Sequence, residues 1–114
     1  MVAPIARGGL PQSAMYALPG HWPGMMQPGN IDLWHRPVVH NPDGSISTVR
    51  SISFSNPQGQ EVLVPQVVGG RVVPPLAAWA NYQRTGEHLG VFASPAAANA
   101  YAEALHREQA RRYR

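Results

Sequence analysis

The 114-residue chain contains no cysteine, which excludes disulfides and thiolate-held zinc. It also contains no lysine: all nine basic residues are arginine. Two explanations stand for that bias, a GC-rich coding sequence or a demand for bidentate contacts to carboxylates or phosphates, which arginine makes better than lysine. No apolar run approaches the roughly 18 residues that cross a bilayer, so no membrane span is expected. The N-terminus offers only Arg7 and no apolar core stretch. A secretory signal is therefore not expected, and synthesis in a cytoplasm is. Acidic residues are absent before Asp32, and the net charge of +3 is modest. Where that charge sits matters more for a partner than its size. The length allows one small domain.

What is present divides at about residue 29. Pro and Gly recur through residues 1–29 and leave no helical or strand period. Yet the same stretch carries all four Met residues with Leu10, Tyr16, Leu18 and Trp22, and solvated low-complexity linkers lack such groups. It reads either as a loose terminus with incidental apolar residues or as an extended arm that orders on another subunit. In the second case Tyr16, Trp22, Met25 and Met26 are its anchors.

Residues 30–114 carry the pattern of a folded domain. Asn41-Pro42-Asp43-Gly44 and Asn56-Pro57-Gln58-Gly59 share one turn chemistry: Asn accepts from backbone amides, Pro fixes φ, and Gly takes the left-handed position. Between them Ser45 to Phe54 predicts a central strand. Val38 to His40 is expected on one side of it and Glu61 to Val68 on the other, with an edge or bulge at Pro65. Gly69-Gly70 is a two-residue hairpin loop leading into Arg71 to Val73. Together these predict a β-meander of about four antiparallel strands in chain order. Strand alternation places Arg50 on the apolar face with Ile46, Thr48, Ile52 and Phe54. There it would either snorkel past the sheet edge or pair with Asp32, Glu61 or Glu87.

After Pro74-Pro75 the period becomes helical, with Leu76, Trp79, Ala80 and Gln83 on one face and Gly86 as the left-handed cap. Leu89 and Phe92 are expected to plug the core from a connector. Ser94-Pro95 is an N-cap followed by Pro at the first helical position. The helix it opens runs to about Tyr113, roughly 28 Å, with Ala98, Tyr101, Ala102 and Leu105 on one face. Its last turn gathers Arg107, Arg111, Arg112 and Arg114 against Glu108, where cations suit the helix dipole and can also meet phosphates or an acidic partner. The predicted fold class is thus α+β: a small antiparallel meander packed with two C-terminal helices and preceded by an extended arm.

No catalytic constellation emerges. The five His are scattered, no pair lies at i, i+4 on a helix beside a carboxylate, and there is no nucleophile elbow or phosphate-binding glycine loop. His35 with His40 is a weak metal pair, and Asp32, Glu61, Glu87 and His88 form a set only if the fold gathers them. No cofactor and no enzymatic activity are expected.

The segments GNIDLWHRPVVHNPDGSISTVRSISF, EVLVPQVV, YQRTGEHLGVF and AYAEALHREQ resemble a small module of virion-associated proteins of tailed bacteriophages, over roughly residues 29–113. The chain departs from that pattern at Pro74-Pro75, where the module has a capped polar helix start, and at Val91, where it often has a basic residue. The resemblance implies a non-enzymatic particle component in a symmetric multi-copy assembly with other virion proteins, located in the head, tail or internal core. Two further readings are a nucleic-acid-facing or ejected protein whose Arg-rich helix end meets packaged DNA, and a cell-wall-targeting module accompanying a phage hydrolase. A marginal core supports the assembly reading, since a body of this size gains from docking.

Overall fold

A computed structural model describes residues 22–113; residues 1–21 and Arg114, and with them the expected anchor Tyr16, lie outside the described residues. The two Asn-Pro-X-Gly turns set the registers. Gly44 and Gly59 donate their amides to the carbonyls of Asn41 and Asn56, each at 3.0 Å, with φ of 90° and 78°. Such φ values favour glycine because they bring a Cβ against the backbone. The Asn56 side-chain oxygen also accepts from the amides of Gln58 and Gln60. Gly69 and Gly70 both take positive φ in the expected hairpin.

The elements in chain order are β1 (Met25–Pro28), β2 (Val39–His40), β3 (Ile46–Ser47), β4 (Ser51–Ser55), β5 (Glu61–Pro65), β6 (Val67–Val68), β7 (Arg71–Val72), α1 (Pro75–Thr85), β8 (Gly90–Phe92) and α2 (Pro95–Arg112). A four-stranded antiparallel sheet runs β1-β8-β5-β4, and β2-β3 and β6-β7 are separate hairpins. The α+β class with a small antiparallel sheet and two C-terminal helices is as expected. The strand order is not the chain order, because two expected non-strand segments supply half the sheet. The connector at Gly90–Phe92 is an inner strand, pairing Met25↔Phe92 on one side and Leu63↔Gly90 on the other. The last residues of the expected arm form the edge strand beside it.

The expected central strand is interrupted as well. Ile46 and Ser47 pair with His40 and Val39, whereas Ser51–Ser55 pair with Glu61–Pro65. Between them Thr48 and Val49 are buried and Arg50 is exposed, so strand alternation does not hold across this step. The Thr48 carbonyl turns away from the ladder to accept from Arg36 Nε at 3.0 Å. Pro65 is the last residue of an inner strand rather than an edge residue. Gln66 donates to the Arg50 carbonyl, so alternation makes Ser51·Pro65 a non-hydrogen-bonded pair that requires no donor. On the other side β8 ends opposite Leu63, so the missing N–H is needed by neither neighbour.

Strand β5 is buried on both faces, and its side chains divide the core between two layers. Leu63 joins Val49, Leu89, Phe92, Ala98, Tyr101 and Leu105 beneath α2. Val62 and Val64 join Val91 and Ala78 beneath α1, with Ile52, Phe54 and Tyr82 at the margin. Leu89 and Phe92 are the buried plugs expected of them. Helix α2 begins as its sequence predicts: the Ser94 hydroxyl accepts from the Ala97 amide at 3.1 Å, and Pro95 occupies the first turn. Helix α1 ends on Gly86, φ 75°, as expected, but its buried stripe is rotated. Ala78 faces the sheet, while Leu76 is 80% exposed. Ring contacts set that rotation, since Trp79 lies between Phe54 and Tyr82 with centroids 4.7 and 5.1 Å away.

Candidate functional site

Most of the polar side chains that the sequence makes available are committed to holding the chain together. Arg36 is the hub. Its Nε donates to the Thr48 carbonyl and its Nη2 to the Val67 carbonyl, both at 3.0 Å. Its amide donates to the Tyr113 hydroxyl at 2.8 Å. That hydroxyl donates to the Leu33 carbonyl, which also receives Gln109 Nε2, each at 3.1 Å. Thr48 Oγ1 closes the network by donating to Gln109 Oε1 at 2.6 Å. Arg36 therefore ties the strand interruption at Thr48 and the start of β6 at Val67 to the last turns of α2. Burial lowers the pKa of this guanidinium, opposed by the charge of Glu87, and the carbonyls it serves offset part of the desolvation.

The acidic residues are dispersed in the same way. Asp32 accepts from the Trp34 amide and pairs with His35 Nδ1 at 2.8 Å; the His35 hydrogen bond, ahead of the backbone one, lowers its pKa. Asp43 accepts from the Ser45 hydroxyl and amide inside the first turn, and the hydroxyl is the larger cause of its lowered pKa. Glu61 is buried in the sheet and accepts from the hydroxyls of Ser53 and Ser55. Glu108 holds Arg112 at 2.5 Å. His88 is buried edge-on to Tyr82 with Nδ1 unpaired, and burial lowers its pKa. Asp32 and Glu61 are thus engaged separately, His88 is buried apart from them against Tyr82, and Glu87 is exposed. Among the described residues no group of three or more His, Asp and Glu is arranged for a metal ion.

One surface departs from this pattern. Between α2 and the β2-β3 hairpin lies an open groove with a cavity of about 690 Å³, lined by His40, Asn41, Ile46, Arg50, His106 and Tyr113 among others. A second cavity of about 340 Å³ continues it past Arg50 and His106 toward Ser51, Glu103 and Arg107. The first is within the size range of ligand-binding clefts. Neither Arg50 nor Arg107 forms an ion pair with a described residue. Of the two alternatives expected for Arg50, the pairing with Asp32, Glu61 or Glu87 is therefore not made, and the side chain is exposed, as the snorkelling alternative has it. Its place on an apolar face is lost because the strand breaks at residue 48, and the half-buried cation is Arg36 instead.

The other expected site residues divide. Trp22 packs edge-on to Tyr101 at 5.5 Å, and with Met25 it rests on the core beneath α2, so both serve this chain's own body. Met26 points outward and is 59% exposed. Arg112 lies 3.7 Å over the Trp34 ring and is held by Glu108, which removes it from the set of available cations. Arg107 opens onto the groove, Arg111 is exposed, and Arg114 lies outside the described residues. Gly44, Gly59 and Gly86 hold the structural positions assigned to them.

Sequence reasoning missed the groove and the Arg36 hub. Half of the groove had a signal, since His106, Ala110 and Tyr113 follow helical spacing beside the core stripe of α2. The opposite wall is brought up by the β2-β3 hairpin and has none. Comparison with known protein families, curated proteins and solved structures finds no match to the chain. No helix among the described residues is long and apolar enough to cross a membrane.

Proposed function

We propose that this protein is a non-catalytic docking module, and, in the setting its sequence resemblance implies, a structural component of a tailed-phage virion. The observation that carries the reading is the contrast between its polar groups. The carboxylates Asp32, Asp43, Glu61 and Glu108 are spent on neighbouring donors within the fold, whereas two adjoining cavities present Arg50 and Arg107 without an ion pair to any described residue. A site built for general acid–base or nucleophilic chemistry brings a base within reach of the group it activates. A docking surface needs only a shaped recess with unsatisfied donors at its margin, and that is the arrangement favoured here. Exposed Met26 and Leu76 add apolar contact area outside the groove.

The test is a mass-spectrometric inventory of purified particles, with heads and tails separated. The protein should co-purify at a fixed copy number with one substructure. Its absence from washed particles, with abundance confined to the lysate, would overturn the structural role.

A further inference from the structure

We infer that the groove between α2 and the β2–β4 segment binds an extended, acidic peptide segment of a partner protein, added as a strand along the free edge of β4. This rests on the docking role proposed above and identifies its surface and its partner's chemistry.

Two independent observations converge on one place. The first is an open sheet edge. β4 is terminal in the order β1-β8-β5-β4, and no strand lies beside its outer edge among the described residues. Because Arg50·Gln66 is a hydrogen-bonded pair, alternation turns the N–H and C=O groups of Ser51, Ser53 and Ser55 away from β5. Edges of this kind are ordinarily blunted by Lys, Pro or a bulge. Ser51–Ser55 pairs with β5 in unbroken register and carries none of the three. At the opposite end of the sheet β1 is interrupted by a bulge between Met25 and Gln27 and ends in Pro28. One edge is protected and the other is not.

The second observation is charge. Arg50 immediately precedes β4, is exposed, and lines both cavities; Ser51, the first residue of β4, lines the second of them with Arg107. A strand laid along β4 projects alternate side chains to one face, bringing carboxylates to Arg50 and Arg107, which take them bidentately. One feature favours a peptide over a nucleic-acid backbone: the lining mixes Val49, Ala102 and Ile46 with serine hydroxyls instead of a platform of stacked rings.

The experiment uses the full chain and fluorescence anisotropy with extended peptides of about eight residues, alternating Thr with either Glu or Gln at every second position. Expected is saturable binding that tightens as Gln is replaced by Glu. Binding should weaken by about tenfold for Arg50→Gln and again for Arg107→Gln, and be lost when alternate peptide amides are N-methylated. Neither arginine side chain has a hydrogen-bond or ion-pair partner among the described residues, so these variants should melt like the wild type, which circular dichroism checks. Affinity indifferent to Glu content, to the two arginines or to N-methylation would overturn the proposal. So would a single-stranded or duplex oligonucleotide that binds more tightly than the acidic peptides through the same arginines. Peptide binding intact in a protein absent from particles would sink the virion role and leave the groove standing; the reverse result would remove the groove alone.

Discussion

Replacing Gln109 with leucine gives the sharpest test of the polar network that ties α2 to the strand interruption. Gln109 and Thr48 are 3% and 4% exposed. The amide accepts from Thr48 Oγ1 at 2.6 Å and donates to the Leu33 carbonyl at 3.1 Å. In Gln109→Leu the Leu33 carbonyl keeps the Tyr113 hydroxyl, but the Thr48 hydroxyl is left buried without an acceptor. An unpaired group of this kind costs about 1–3 kcal/mol. For a body of this size that corresponds to a fall in Tm of roughly 4–24 °C. Thr48→Val strands the Gln109 oxygen at a cost in the same range. The double variant removes donor and acceptor together, so it should be more stable than the sum of the singles by about 1–2 kcal/mol. Urea unfolding of the four proteins, followed by tryptophan fluorescence, measures the coupling. Additivity within about 0.5 kcal/mol would show that the two side chains do not act as a pair.

Four further outcomes follow from the same structure. A Cβ at Gly44 meets nothing within 4 Å, so Gly44→Val should cost only the left-handed strain, somewhat over 1 kcal/mol. A Cβ at Gly29 would lie 2.5 Å from the Leu89 carbonyl oxygen, so Gly29→Ala should lower Tm further than Gly44→Ala does; equal melting of the two would refute that close approach. Burial, opposed by a backbone hydrogen bond with Gly90, lowers the His88 pKa below its ordinary 6.5. The unfolded chain then takes the proton first: stability is full above about 6.5 and declines as pH falls toward the lowered native value. His88→Phe should flatten that acid limb, and an unchanged limb would exclude His88 as its source. Finally, deleting residues 1–28 removes β1 together with Trp22 and Met25 from the core beneath α2, so it should destabilise the body far more than deleting residues 1–21; indistinguishable thermal melts would put β1 outside the cooperative fold.

The parts of this fold that the sequence discloses are those with a local cause. Asn-Pro-Asp-Gly and Asn-Pro-Gln-Gly specify positive φ within four residues, Ser94-Pro95 starts a helix, and Gly86 ends one. The alternation of Val62, Leu63 and Val64 cannot be read in the same way, because β5 is covered on both faces and these three successive positions are all apolar. The pairing of Met25 with Phe92 has no local signal, and both segments are shorter than a strand pattern requires. The expected role of Arg50 failed for a related reason: alternation was extended through Thr48, where Arg36 draws the backbone carbonyl out of the ladder. Arg36 sits in a segment without periodicity, so its neighbours in sequence gave no indication of its burial. In the groove, the helical wall was written in the spacing of His106, Ala110 and Tyr113, and the strand wall depended on a turn placing Ile46 and Arg50 opposite them.

Placing Met25–Pro28 beside Gly90–Phe92 also sets the order in which the molecule can assemble during synthesis. The β4-β5 hairpin closes over a single turn, so its ends meet early and at small entropic cost. The edge strand β1 has no neighbour to join until β8 emerges from the ribosome, almost the full length of the body later. Such long-range pairing is slow, and the strand awaiting it is exposed meanwhile. Met25 and the flanking Trp22 therefore spend much of translation unburied. Synonymous changes that slow translation between residues 30 and 90 would lengthen that window, making the yield of soluble protein sensitive to elongation rate even though the finished molecule is identical.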